Sequence, residues 1–182
     1  MLKLHARAGT DAAIMNHTLL LSIHNFWING VLVGEGGISS AIAGHFGVPL
    51  ALVSGDDKVA KEMKELLGDV ETAVTKYAVD RYTARCLTPE ETGARIKQAA
   101  KRALGRLGDF KPYRVDTPVK LEVEFTSAST ALLASTVPGI VREGPRRISV
   151  TAEDMIQAWS AIWPSILVSM PAENSPFARG IE

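Results

Sequence analysis

Cysteine is almost absent from this chain: Cys86 is the single one among 182 residues. One thiol cannot build an internal disulfide framework. Stability then has to come from an apolar core, and with no leading apolar segment the pattern predicts a reducing cytoplasm. An excess of charge of either sign is missing as well. Lys and Arg number 20 and Asp and Glu 20, so the formal net charge is +0, and no broad electrostatic footprint for nucleic acid or an acidic membrane surface is expected. The basic residues from Lys97 to Arg106, and the cluster of Arg142, Arg146 and Arg147, read as solvated faces. Long apolar runs are lacking too. The stretch from Trp159 to Met170 is broken by Pro164 and several serines, which predicts a packed terminal helix and no membrane span.

The composition suits an ordinary globular protein, with 46% of residues apolar and 22% charged; a chain of this length buries one substantial core. The order of patterns predicts an α/β fold, a mixed sheet flanked by helices, with an antiparallel, strand-rich C-terminal part. Asn29-Gly30 between Phe26-Trp27-Ile28 and Val31-Leu32-Val33 is a strong hairpin signal. Small residues from Ile38 to Ala43 then form a short helix, with Glu35 near its positive end. Val48 to Val53 reads as a buried strand, followed by a turn at Ser54-Gly55-Asp56-Asp57 and a helix from Lys58 to Leu67. A strand is expected over Thr72 to Val79. Thr88, Pro89 and Glu91 carry the N-cap, first-turn proline and capping-box positions of an amphipathic helix running to about Leu107. Beyond Gly108, alternation at Val119, Leu121, Val123 and Phe125 predicts a half-exposed antiparallel strand with a partner at Arg147 to Val150. A last helix runs through Trp163.

Three residues near the N-terminus carry chemistry suited to a metal hydrolase: His5 in His-Ala-Arg-Ala-Gly-Thr, His17 in Asn-His-Thr, and Glu35 in Gly-Glu-Gly. Imidazole nitrogen and carboxylate oxygen are zinc donors, and a further histidine can move protons at neutral pH. Taken singly, His5 reads as a packed or surface histidine and Glu35 as a helix-start carboxylate. His17 reads as a ring bonded to a loop carbonyl. Arg7 could bind a substrate carboxylate or form a structural ion pair. Asp56 and Asp57 could hold a metal or a substrate amine, but an N-cap explains them more simply. Lys76, Arg81, His24 and His45 receive no role. Cys86 reads as a buried small hydrophobe.

Taken in order, these motifs resemble the zinc-dependent D-aminopeptidase family, the kind associated with dipeptide transport. The resemblance runs through His5-Ala-Arg-Ala-Gly-Thr, Asn16-His17-Thr18, Ile28-Asn29-Gly30, Val33-Gly34-Glu35, Gly47-Val48-Pro49 and Val53-Ser54-Gly55-Asp56-Asp57. Lys76, Arg81, Pro112-Tyr113 and Pro138-Gly139 continue it. It implies that His5 and Glu35 are zinc ligands. It also implies that His17 is the central catalytic residue, as a general base or as a stabiliser of the attacking hydroxide and tetrahedral intermediate. Two zinc ions would activate water, polarise the peptide carbonyl and anchor the free amine of a short peptide opening with a D-residue, D-alanyl peptides foremost. Ring-like homo-oligomers are a further implication, with the Phe26-Trp27-Ile28 hairpin as a packing surface between subunits or as core.

The resemblance has a gap. Family members carry an Asp-x-Glu-Gly strand and another His ahead of the His-Ala-Arg element, and these supply metal ligands; here Met1-Leu2-Lys3-Leu4 runs straight into His5. The chain is therefore expected to hold only part of the metal site. The organisation expected is a single α/β hydrolase-like catalytic domain over 1–170, the family fold minus its N-terminal segment, with a flexible tail over 171–182. The alternative is a truncated, catalytically silent remnant acting as an oligomer-forming or binding subunit. An unrelated α/β binding domain with structural histidines is a third reading.

Overall fold

Asn29 and Gly30 both take left-handed backbone angles, φ 47° and 79°, the geometry that a two-residue hairpin turn needs and that these residue types tolerate best. The computed structural model describes residues 1–173. In chain order the elements are β1 (Ile23–Ile28), β2 (Val31–Leu32), α1 (Glu35–His45), β3 (Leu52–Asp56), α2 (Asp57–Leu67), β4 (Glu71–Ala78), β5 (Ala84–Cys86), α3 (Pro89–Gly105), β6 (Val119–Phe125), α4 (Ala128–Ala134), β7 (Val141–Arg142), β8 (Arg147–Ala152) and α5 (Met155–Glu173), with a 3-10 turn at Leu107–Asp109. They fall into two compact units, Met1–His17 with Gly34–Arg114, and Thr18–Val33 with Val115 onward.

The first unit is built on a three-stranded sheet in the order β3-β4-β5, parallel between β3 and β4 and antiparallel between β4 and β5. Its strand β3 begins later than the apolar run predicts, at Leu52. Ser54, Gly55 and Asp56, expected as a turn, are strand residues instead. Neighbours on both sides explain this: β4 on one, and on the other the first residues of the chain, where Ser54 N–H donates to the Met1 carbonyl (3.0 Å) and Leu4 N–H to the Ser54 carbonyl (2.9 Å). Helix α2 packs Val59 and Met63 into a core with Leu4, Ala6, Ala13, Val53 and Val70. Helix α3 opens with the capping box of Thr88 and Glu91, as the sequence predicts. Cys86 departs from expectation. It is exposed, because β5 is the last strand of this sheet and that position faces water.

The second unit holds an antiparallel sheet in the order β2-β1-β6-β8-β7. Strand β6 buries Val119, Leu121, Val123 and Phe125 while Lys120, Glu122 and Glu124 stay half-exposed, the alternation visible in the sequence. The hairpin's Phe26 and Ile28 are buried core residues, and Trp27 lies beneath the Arg147 guanidinium. Helix α5, capped by Asp154, runs through Pro164 to Glu173, so the last helix expected through Trp163 and the packed terminal helix expected over Trp159 to Met170 are one element. Proline inside a helix costs about 3 kcal/mol, but full burial of Ala158, Ile162 and Ile166 holds the helix across it. Pro171 to Glu173 therefore belong to the helix, and the remainder of the expected tail, 174–182, lies outside the described residues. Among the described residues no helix is long and apolar enough to cross a membrane.

Candidate functional site

The pairing of Leu4 with Gly55 brings the next residue, His5, alongside the end of β3, where Asp56 stands opposite Lys76 of β4. His5, Asp56 and Lys76 thus form a transverse row at the carboxyl ends of parallel strands, the edge where α/β sheets gather ligands. Asp56 is fully buried. Its Oδ1 accepts the N–H groups of Lys58 (3.0 Å) and Val59 (2.8 Å) and so caps α2, while Oδ2 has no hydrogen-bond partner among the described residues. Asp57 Oδ1 accepts the N–H of Ala78 (2.8 Å) and its Oδ2 meets Lys58 Nζ at 3.1 Å, so this carboxylate ties α2 to β4. The capping explanation accounts for Asp56 Oδ1, whereas Asp57 is a structural tie and the cap leaves Asp56 Oδ2 unexplained.

From His5 the chain makes a tight loop and returns at His17, whose N–H donates to the Ala6 carbonyl (3.2 Å). Ala12 and Met15 hold left-handed φ angles of 45° and 50° in this loop, a conformation that costs a non-glycine residue about 1–3 kcal/mol and persists only where its surroundings over-determine it. The over-determination is visible. Buried Asn16 donates from Nδ2 to the carbonyls of Thr10 (2.9 Å) and Ala13 (3.1 Å), and Arg81 donates to the Asn16 carbonyl (2.7 Å) and to its Oδ1. Met15 N–H in turn donates to the Arg81 carbonyl (2.8 Å). Arg81 and Asn16 are the residues that chemistry-by-type overlooks. The only signal for them was their place in the ordered motifs, since an arginine and a buried asparagine that brace a loop have no local spacing of their own.

The two imidazoles end 5.3 Å apart between ring centroids. His5 Nδ1 bonds the Ile14 carbonyl (3.1 Å) and His17 Nδ1 the Met15 carbonyl (2.8 Å). Donation from Nδ1 to a carbonyl leaves Nε2 of each neutral ring as the lone-pair nitrogen. His17 Nε2 lies 3.5 Å from Glu35 Oε1. At that distance the carboxylate oxygen attracts a proton or another cation that comes to Nε2. Glu35 opens α1, where the helix dipole favours an ionised carboxylate. Burial and, next, the Lys76 ammonium hold the His5 pKa below the ordinary histidine value, against the opposing pull of the Ile14 carbonyl and the Asp56 carboxylate. His5 is therefore neutral at pH 7, the form that donates to a metal.

The structure thus brings His5, His17 and Glu35 together, all within one unit. The donor chemistry suits zinc, but among the described residues no three His, Cys, Asp or Glu side chains surround a common point. A catalytic zinc takes three protein ligands and a water. The described residues do not by themselves fit a closed zinc site. Arg7, whose Nη1 donates to the Ala8 carbonyl (3.1 Å), faces a cleft of about 330 Å³ shared with Thr10, Asp11, Lys58, Lys61 and Glu62.

A curated D-aminopeptidase of Bacillus subtilis (strain 168) is 35% identical over 160 residues, covering 87% of this chain and 58% of the relative. A solved structure described as the Zn-dependent D-aminopeptidase DppA from Bacillus subtilis, a self-compartmentalizing protease, superposes with a TM-score of 0.90 at 31% identity, covering 97% of this chain and 64% of that one. The chain accordingly spans about three fifths of the length of the relatives it matches. The sequence profile of the peptidase M55 group, described as D-aminopeptidase, matches residues 1–163, and on that match the chain belongs to the D-aminopeptidase family.

Proposed function

We propose that this chain contributes the catalytic wall of a zinc-dependent aminopeptidase that removes an N-terminal D-amino acid from short peptides, D-alanyl peptides foremost, in the cytoplasm and as a homo-oligomer. The observation that carries the reading is the proximity of the His5 and His17 rings and of His17 Nε2 to the Glu35 carboxylate, with each imidazole oriented by a backbone carbonyl. The relatives support the zinc dependence and the assembly: one is described as zinc-dependent and self-compartmentalizing.

In this reading His17 is the general base. Its Nε2 takes a proton from the water that attacks the peptide carbonyl and returns it to the leaving amine, the two-way transfer for which an imidazole is suited. The Glu35 carboxylate beside Nε2 stabilises the imidazolium formed in between. Neutral His5 and ionised Glu35 are the donors that this chain offers to metal, two of the three that a catalytic zinc requires.

The test is hydrolysis of D-alanyl-D-alanine against its L,L counterpart by the full chain with added zinc. D-selective release of alanine is expected, and His17→Ala should lower kcat by about 10²–10⁴-fold. Hydrolysis indifferent to His17→Ala removes the assigned role. No hydrolysis of either peptide by the zinc-supplemented chain overturns the activity.

A further inference from the structure

Glu62 of α2 lies between the two segments that carry the site. Its Oε2 accepts the backbone N–H of Arg7 at 2.8 Å, two residues past His5, and its Oε1 lies against Gly34, next to Glu35, whose backbone amide favours the ionised carboxylate. The fit there is tight. A Cβ placed on Gly34 would sit 2.7 Å from Glu62 Oε1 and 2.9 Å from Arg7 Cβ, so only glycine lets these three groups meet. The helix that presents Glu62 is itself immobilised, by the Asp56 cap at its start and by fully buried Val59 and Met63 on its inner face.

From this geometry we infer that Glu62 is the positioning residue of the site, its carboxylate clamping the His5 segment to the Glu35 turn and so setting the spacing between the catalytic imidazole and its carboxylate partner. The inference rests on the function proposed above for its effect on catalysis, but not for its structural content. A carboxylate is suited to the task because it is acceptor-only and offers an oxygen to each amide. A glutamine in its place keeps one acceptor and turns an NH2 group towards the second amide N–H, donor against donor. Burial raises the Glu62 pKa, with the Arg7 and Gly34 amides and the Arg7 guanidinium opposing. The clamp therefore operates against a desolvation cost, which a side chain with no positional duty would avoid by turning to water.

Glu62→Gln and Glu62→Asp in the full chain test this, read by amide hydrogen exchange at Arg7 and Gly34, by the nuclear Overhauser contact between the His17 ring and the Glu35 methylenes, and by kcat and KM on D-alanyl-D-alanine. In Glu62→Gln, exchange at one or both amides should rise by about tenfold or more and the His17–Glu35 contact should weaken, while exchange in α3 and β6 stays as in the wild type. Loss of supporting contacts around a site costs about 10–100-fold in activity, so kcat should fall in that range with KM little changed. Glu62→Asp keeps both acceptors on a shorter stem and should recover part of the protection and part of the rate. Unchanged protection and contact in Glu62→Gln overturn the clamp, and so does an unchanged kcat with both amides exposed. If the wild type hydrolyses nothing, the proposed function falls, yet the exchange and contact data still decide for or against Glu62.

Discussion

Replacing Gly55 with alanine should disturb both the stability of the first unit and the placement of His5, and the structure sets the size. A Cβ at position 55 would lie 2.4 Å from the Leu4 carbonyl oxygen and 2.5 Å from Val59 Cγ1. The first obstacle is backbone, and the second belongs to a fully buried branched side chain in a helix, where χ1 has one strongly preferred setting. Restoring ordinary contact near 3.5 Å means moving the Met1–Leu4 segment away from β3 by roughly 1 Å, which stretches the bond from Leu4 N–H to the Ser54 carbonyl. Overpacking costs about 1–3 kcal/mol and a weakened hydrogen bond about 1 kcal/mol, while the gain from replacing a strand glycine offsets roughly 0.5–1 kcal/mol. A net loss of about 1–3.5 kcal/mol lowers Tm by about 2–14 °C for a chain of this size. Because His5 follows Leu4 directly, a 1 Å displacement should also cost activity by about 100-fold. Thermal unfolding by circular dichroism, with amide exchange at Leu4, reads the effect. A Tm within about 1 °C of the wild type, with Leu4 equally protected, would show that the first strand does not depend on this close approach.

Other substitutions should behave differently. Gly93→Ala meets open space on the exposed face of α3 and should stabilise by about 0.5–1 kcal/mol, seen as a higher Tm; destabilisation would mean that α3 is not the helix described. Thr88→Ala removes the side-chain half of the capping box at the start of that helix and should cost about 1 kcal/mol in chemical denaturation. Asp57 carries a pH dependence. Burial works against its ionised form, but the Ala78 N–H and the Lys58 side chain outweigh this and hold its pKa below the ordinary value of 3.8. Its contribution is thus complete above that value and disappears as pH falls through the lower folded-state pKa. Asp57→Asn should lose stability at pH 6 and little at the acid end, and equal losses at both ends would contradict the assignment.

Where a rule of local chemistry applies, the sequence already announces the element. Asn29-Gly30 can turn a hairpin because both tolerate left-handed angles, Thr88-Pro89-Glu90-Glu91 satisfies its own helix start, and alternation over Val119 to Phe125 commits one face to the core. Those readings held because the interactions responsible lie within a few residues of one another. The strand at Ser54-Gly55-Asp56 was illegible for the opposite reason. These residues look like a turn until Met1–Leu4 arrives on one side and β4 on the other to satisfy their backbone groups. The exposure of Cys86 is illegible likewise, since it depends on the order of strands in the sheet.

The sequence by itself determined which chemistry is available, two histidines and a carboxylate in ordered motifs, and with them the family. Only the tertiary structure decided that these side chains meet. The His17–Glu35 distance of 3.5 Å, the loop braced by Asn16 and Arg81, and the contact of Glu62 with Arg7 and Gly34 join residues far apart in the chain. Their separation along the sequence carries no geometric information, and proximity comes from sheet pairing and helix packing alone.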